Sequence, residues 1–479
     1  MNKSIHQVLI FSFVLVLLLL VNMTWLQGFQ EDKYANNPLN SRQFLEDKQR
    51  PRGQISTGGE VLARSEKADD DFYHRYYETN PEAYAAVVGY LSDQYGSAGL
   101  ERSQNDILNG TDPSLFASRA IDTLTGKANS GANLELTLLP EAQLAAYQGL
   151  ASRGYVGASV AIRPSTGEIL AMASTPSFNP NNIAQNDESV WQTLNENSNA
   201  PLLNHTTQRP LPPGSTFKVL TTIAALENGA SPDTSVTAAS QITLPNTNTT
   251  LENYGGQTCA GGGTTTLRTA FALSCNTAFA ELAVDTGADP LRAVAERMGI
   301  GETYKNLGIG QEPSTIGEIP DDAALAQTAI GQRDVSFTPL DNALIAATIA
   351  NDGVRMEPHL IKSVTGRDLS TLKTVKPKEL GEAIHPDTAA IMTDLMRGSE
   401  NNSGGNGSRI ASKTGTAEHG ETRGEYAPHV WYIAFAPDSD VAVAVVVENG
   451  GGQGQGATGG SVAAPLGREL IAAVEQVGR

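Results

Sequence analysis

The chain reads as an α+β protein, in which antiparallel hairpins alternate with inserted helices. Two observations predict this, and a third concerns the membrane. Two strongly apolar hairpins, "VGASVAIRPSTGEILAMAS" (156–174) and "WYIAFAPDSDVAVAVVVENG" (431–450), turn at Pro164-Ser165-Thr166-Gly167 and Pro437-Asp438-Ser439-Asp440. Helical stripes fall between and after them, one following Pro339 with Leu340, Leu344, Ile345 and Ile349 on a single face, another in "GRELIAAVEQV" near the end. An uncharged apolar run lies near the start.

That run, residues 8–26, would span ~28 Å as a helix, about the thickness of a bilayer core. The following "NMTWLQGFQED" offers no small-x-small cleavage site, so an uncleaved anchor is expected rather than a signal peptide. Lys3 precedes the run, and Glu31 and Asp32 follow it. The positive-inside tendency then places residues 1–7 in the cytoplasm and residues 31–479 outside.

Residues 27–52 are polar and mixed, a linker leaving the membrane. "RGQISTGGEVLARS" (52–65) reads as short strands about a Gly58-Gly59 turn. "PEAYAAVVGYLS" and "GLERSQNDILNG" read as short helical or mixed pieces. "ANLELTLLPEAQLAAYQGLASRG" starts as a strand and turns helical after Pro140, a good first-turn residue. "SENNSGGNGSR" and "GGGQGQGATGG" read as flexible surface loops.

Composition bounds the function. The 479 residues suggest two domains, and 40% apolar content suits a large core. The net charge of -19 and the lack of a basic patch exclude a nucleic-acid partner. The only cysteines are Cys259 and Cys275, and neither a CxxC pair nor HExxH occurs, so no metal site is indicated.

"RPLPPGSTFKVLTT" (209–222) asks for chemistry. The prolines at 210, 212 and 213 stop a helix from extending backward, so one is expected to begin at Gly214 or Ser215 and end at Asn228-Gly229. On it Ser215 and Lys218 are i, i+3 neighbours. A serine hydroxyl is a poor nucleophile without a base, and a neutral lysine can serve as one if burial or a second cation lowers its pKa. Unpaired N–H groups at the helix start would suit an oxyanion. The pair alone also fits a cap beside a surface lysine.

Two further motifs weigh against that bland reading. "FALSCNTAF" holds Ser274-Cys275-Asn276, a hydroxyl that could relay a proton and an amide that could hold a carbonyl. "IASKTGTAEHG" holds Lys413-Thr414-Gly415-Thr416. It reads as a strand in which Gly415 lets a peptide backbone lie alongside, Lys413 offers charge to a carboxylate, and Thr416 offers an N–H to an oxyanion.

SxxK, SxN and KTG in this order resemble the serine penicillin-recognising enzymes. "RGQISTGGEVLA", "GLERSQNDILNG", "TGEILAMASTPSFNPN", "PPGSTFK", "AIGQRDVSFTP" and "KTGTAE" are similar to successive landmarks of a class B penicillin-binding protein, most like the actinobacterial penicillin-binding protein A group. The likeness runs from Arg52 to near the C-terminus. One departure is His205-Thr206 after "PLLN", where the family usually has Arg-Ala.

The resemblance implies the penicillin-recognising serine transpeptidase fold, an antiparallel sheet flanked by helices plus an all-helical part. It implies a cytoplasmic stub and anchor over 1–30, a non-catalytic pedestal over 31–140 and a transpeptidase domain over 141–479. It implies a monofunctional D,D-transpeptidase that cross-links peptidoglycan stem peptides through a serine acyl-enzyme, in cell wall synthesis and cell division, and is covalently inhibited by β-lactams. Ser215 would be the nucleophile, Lys218 its base, Ser274 the proton relay and Asn276 a substrate-positioning group. Lys413, Thr414, Gly415 and Thr416 would meet the substrate carboxylate and build the oxyanion hole with Ser215. No cofactor is implied. The implied partner is a membrane glycan polymerase of the shape, elongation, division and sporulation class. A D,D-carboxypeptidase, a β-lactamase and a non-catalytic sensor or scaffold are the rival readings. The anchor and pedestal argue against the first two, the small cytoplasmic part of residues 1–7 against a sensor, and the complete motif set against a scaffold. In an oxidising compartment Cys259 and Cys275 are expected to form a disulfide.

Overall fold

The computed structural model describes residues 2–29, 48–115, 130–420 and 424–477. Helix α1 (Asn2–Phe29) contains the apolar stretch Ile5–Leu26, long enough to cross a bilayer, with its side chains exposed. The polar connection after it lies outside the described residues.

The body holds two large sheets. The first begins with β1 (Ile55–Thr57), β2 (Glu60–Lys67), β3 (Tyr73–Tyr77) and β4 (Asn133–Leu136). Gly58 and Gly59 make the β1–β2 turn at φ 54° and 84°, values that favour glycine. Helix α2 (Pro140–Ala151) starts at its expected proline. The second sheet begins with the hairpin β5 (Gly157–Ile162) and β6 (Ile169–Thr175).

Helix α3 (Lys218–Glu227), α4 (Leu267–Leu273) and α5 (Asn276–Thr286) build the helical part, and α6 (Pro339–Ala350) follows. Strands β7 (Ile361–Thr365) and β8 (Thr371–Thr374) come next, then α7 (Pro386–Asn402). The last elements are β9 (Ala411–Ala417), β10 (His429–Ala436), β11 (Val441–Val447) and α8 (Ala464–Val477).

The second sheet runs β9-β10-β11-β5-β6 and is antiparallel throughout. Helices α2 and α8 pack on one face and α6 on the other. Both faces are covered, so β10 and β11 are buried along their whole length. This explains a run such as "VAVAVVV" without polar alternation. The edge strand β9 carries the KTG motif.

The first sheet runs β8-β7-β4-β1-β2-β3, with β1 and β4 parallel. Its strands β7 and β8 come from residues 361–374, so this sheet is completed by a segment far along the chain. Nothing in the alternation of those residues announces that pairing.

Two composition-based readings change. Ser399 and Glu400 of "SENNSGGNGSR" end α7 and are buried, because Glu400 accepts hydrogen bonds from Ser412, Tyr432 and Arg468. Gly459 of the glycine-rich stretch packs against β9 and β10. A Cβ there would meet the Trp431 carbonyl oxygen at 2.3 Å and the Gly415 nitrogen at 3.0 Å.

Candidate active site

The SxxK segment is not one continuous α-helix. Residues Gly214–Phe217 form a 3₁₀ turn, and the α-helix starts at Lys218. Pro212 and Pro213 have no N–H to give, and Gly214 sits at φ 54°. A 3₁₀ turn eclipses positions i and i+3, which serves a serine and a lysine meant to meet. Glycines let this turn lie against β9. A Cβ on Gly214 would meet the Thr416 carbonyl oxygen at 2.8 Å, and one on Gly415 would meet the Pro213 carbonyl oxygen at 2.6 Å. Gly415 therefore has a packing reason that the strand-addition reading did not contain. Trp431 Nε1 donates to the Pro212 carbonyl at 2.8 Å and fixes the turn from behind.

Ser215 is half-buried and opens onto a cleft of about 620 Å³, whose walls include Ser274, Asn276, Thr414 and Thr416. Lys218 is fully buried. Its Nζ donates to Asn276 Oδ1 at 2.6 Å, to the Ser274 carbonyl at 2.7 Å and to Ser274 Oγ at 3.3 Å. Lys413 is also fully buried and donates to Ser274 Oγ at 2.9 Å and to the Thr414 carbonyl at 3.0 Å. Ser274 Oγ thus stands between two amines.

Every one of these acceptors is neutral. Burial pushes the Lys218 amine well below the ordinary lysine range, and the neighbouring Lys413 adds to this. Burial alone brings Lys413 down to about 7. Aromatic faces offer partial compensation: Phe279 lies 5.5 Å from Lys218 Nζ and Phe271 lies 5.7 Å from Lys413 Nζ.

Ser274 ends α4 in the left-handed region, φ 62° and ψ 41°, which a non-glycine residue adopts at a cost. Cys275 caps α5 and is disulfide-bonded to Cys259, with Cα atoms 5.9 Å apart. Further ties hold this corner. Asn276 Nδ2 donates to the Glu252 carbonyl at 3.0 Å, and the Thr277 N–H donates to Asn253 Oδ1 at 3.1 Å. Asn253 in turn donates to the carbonyls of Ala239 at 2.9 Å and Gln257 at 3.0 Å. Asn276 is therefore held at both ends of its amide, by Lys218 and by Glu252. Sequence reasoning missed Asn253, a lone Asn between weak strands with no motif around it.

The structure brings together every predicted site residue. Ser215 is not among the hydrogen-bond partners of Lys218 in the described residues. The His205-Thr206 departure has a structural counterpart. Glu448 is buried, with His205 Nδ1 3.1 Å from Oε1 in an ion-pair contact and Arg209 Nη2 2.8 Å from Oε2. Burial pushes this carboxyl up, but His205 and Arg209 more than offset it and hold it below the usual range.

Residues 157–472 match the penicillin binding protein transpeptidase domain, and residues 52–134 match the penicillin binding protein A dimerisation domain. The chain is 46% identical to the peptidoglycan D,D-transpeptidase PbpA of Mycolicibacterium smegmatis over the full length of both. It is 45% identical to the Mycobacterium tuberculosis protein of the same name over 99% of each. The structure of penicillin-binding protein A from M. tuberculosis as a ceftriaxone acyl-enzyme complex superposes with a TM-score of 0.86, at 45% identity over 90% of this chain and 99% of that one. The penicillin G acyl-enzyme complex gives 0.83, at 46% identity over 88% and 99%.

Proposed function

The chain belongs to the penicillin-binding protein transpeptidase family, and on that premise we propose that it is a peptidoglycan D,D-transpeptidase working through Ser215. The observation that carries this reading is the pair of fully buried lysines, without a counterion among their hydrogen-bond partners, that meet at Ser274 beside Ser215.

The chemistry follows from that pair. Neutral Lys218 takes the Ser215 proton as Oγ attacks the carbonyl carbon of the penultimate D-Ala. The N–H groups of Ser215 and Thr416 receive the developing oxyanion. Collapse breaks the peptide bond, and the leaving D-Ala amine takes a proton through Ser274 Oγ. An amine of a second stem peptide then attacks the ester carbonyl, forms the cross-link and returns the proton to Ser215. Lys413, Thr414 and Thr416 hold the terminal carboxylate, whose charge favours protonated Lys413. Asn276 orients the substrate amide. A β-lactam enters the same way and acylates Ser215.

The apolar stretch Ile5–Leu26 anchors the enzyme in this reading, with the catalytic body outside the cytoplasmic membrane. The pedestal over 31–140, whose described sheet takes β7 and β8 from 361–374, holds the transpeptidase part clear of the bilayer in this reading. Glycan chains come from a separate membrane polymerase, and the use is in wall synthesis and division. The test is labelling of the full chain with fluorescent penicillin. Label on the native protein and none on Ser215→Ala supports the reading, and equal label on both overturns it.

A further inference from the structure

A second cavity, of about 630 Å³, lies in the N-terminal sheet region, away from the catalytic cleft. Its volume is in the range of small-molecule sites. Its walls carry Lys48, Arg50, Arg52 and Arg75, with Tyr73 and Tyr76 among the remaining lining groups. Four cations in one cavity stand out in a chain whose net charge is -19.

The charges do not balance. Arg52 and Arg75 share a single carboxylate, Glu101, and Lys48 pairs with Asp93. Arg50 has no ion-pair or hydrogen-bond partner among the described residues. Arg52 spends its donors on Glu101 and Asn105. Arg75 does not. Its Nε reaches Glu101 at 2.5 Å and its Nη1 the Gly53 carbonyl at 2.8 Å, while Nη2 is buried without a partner. The side chain is 2% exposed, so this orphan donor stands in a dry setting where an unmade hydrogen bond is costly.

We propose that this cavity binds a phosphate-bearing ligand, with the phosphate on Arg50, within the field of the neighbouring Arg52 and Arg75, and a small polar body against Tyr73 and Tyr76. The unengaged Arg50 guanidinium suits phosphate oxygens, which take its forked donors in pairs, and the further cations in the wall add to the attraction. The cavity is concave and of small-ligand size, which favours a headgroup over an extended acidic polypeptide. The chain also carries an apolar helix long enough to cross a bilayer, so the headgroup of an anionic phospholipid is one source of the phosphate and a soluble phosphoester the other. The inference does not depend on the transpeptidase reading.

The experiment is calorimetric titration of the detergent-solubilised full chain. The probes are dihexanoyl phosphatidylglycerol, dihexanoyl phosphatidylcholine, glycerol 3-phosphate and a tetraglutamate peptide. Arg50→Gln is the variant, since Arg50 makes no hydrogen bond or ion pair among the described residues. Binding of phosphatidylglycerol, with a loss of about tenfold in Arg50→Gln, supports the site. If glycerol 3-phosphate binds as well, the phosphate alone is the ligand; if it does not, the lipid is the source. Binding of none of the three phosphate probes, an unchanged affinity in Arg50→Gln, or tighter binding of tetraglutamate would overturn the proposal. Penicillin acylation of Arg50→Gln should match the native chain, which separates failure here from failure of the catalytic reading.

Discussion

Two buried charged clusters in this molecule resolve the cost of burial in opposite ways. In the N-terminal region Glu101 is fully buried and meets Arg75 Nε at 2.5 Å and Arg52 Nε at 2.7 Å. Burial pushes its carboxyl up, but the two guanidinium groups more than offset this and keep it below the usual range. In the cleft, Lys218 and Lys413 are buried as deeply, and their hydrogen-bond partners are neutral. There burial wins and both amines are driven toward the neutral form. A compensated charge holds structure, whereas an uncompensated amine becomes a base.

The largest expected break in that comparison is at Lys218. Lys218→Ala should slow penicillin acylation by ~10²–10⁴, the usual loss on removing a catalytic base. Its thermal unfolding temperature should fall modestly while the fold stays intact, since the fully buried side chain is lost and the Ser274 carbonyl and Asn276 Oδ1 lose their donor. At Glu101 the outcome should reverse. Glu101→Gln leaves the buried Arg75 and the partly buried Arg52 without a counterion, at a cost of about 3–5 kcal/mol in urea unfolding. Acylation per mole of folded protein should stay at the native rate.

The disulfide comes next. Cys259→Ser closes no loop over the 16-residue separation, and the chain-entropy account gives a loss of about 3 kcal/mol. Urea unfolding of that variant, beside native protein with and without reductant, measures it. Asn253→Ala should have a smaller effect, a few-fold fall in acylation with a modest stability loss of about 1–3 kcal/mol, because it frees the backbone beside Asn276 without touching the reacting groups.

Stability against pH sharpens the contrast. Lys413 titrates near 7 in the folded chain, below its unfolded value of 10.5. Between those values the unfolded chain binds more protons, so this group makes stability rise with pH across that window. Lys413→Met should flatten that rise in a series of denaturant melts. Glu101 works the other way at acid pH. Its folded pKa lies below the ordinary carboxylate value, so its contribution is present at neutral pH and is lost as pH falls through the folded pKa.

The reacting groups were legible because chemistry forces residue types at short spacing: Ser215 three before Lys218, Ser274 two before Asn276, and Lys413 beside Thr414 and Gly415. Their environment was less legible. No local pattern shows that β7 and β8 complete a sheet begun three hundred residues earlier. The 3₁₀ turn at Ser215 arises from Pro213, Gly214 and the approach of Thr416, a contact between distant segments. Glu400 looked like loop because its neighbours are Asn, Ser and Gly, yet it sits under β9 with Arg468 and Tyr432. Burial of Lys218 could only be supposed from the apolar residues around it. That Lys413 would be equally buried, with Ser274 between them, needed three separate segments to be placed in space.

The central claim is that Lys218 acts as an uncharged base. The most direct measurement is the acylation rate with fluorescent penicillin from pH 5 to 9, for the native chain and for Lys218→Arg. The account predicts a native rate that rises as pH climbs through the lowered Lys218 pKa, and a loss in Lys218→Arg nearly as large as in Lys218→Ala, because guanidinium keeps its proton throughout that range. An Lys218→Arg enzyme acylating close to the native rate would contradict it.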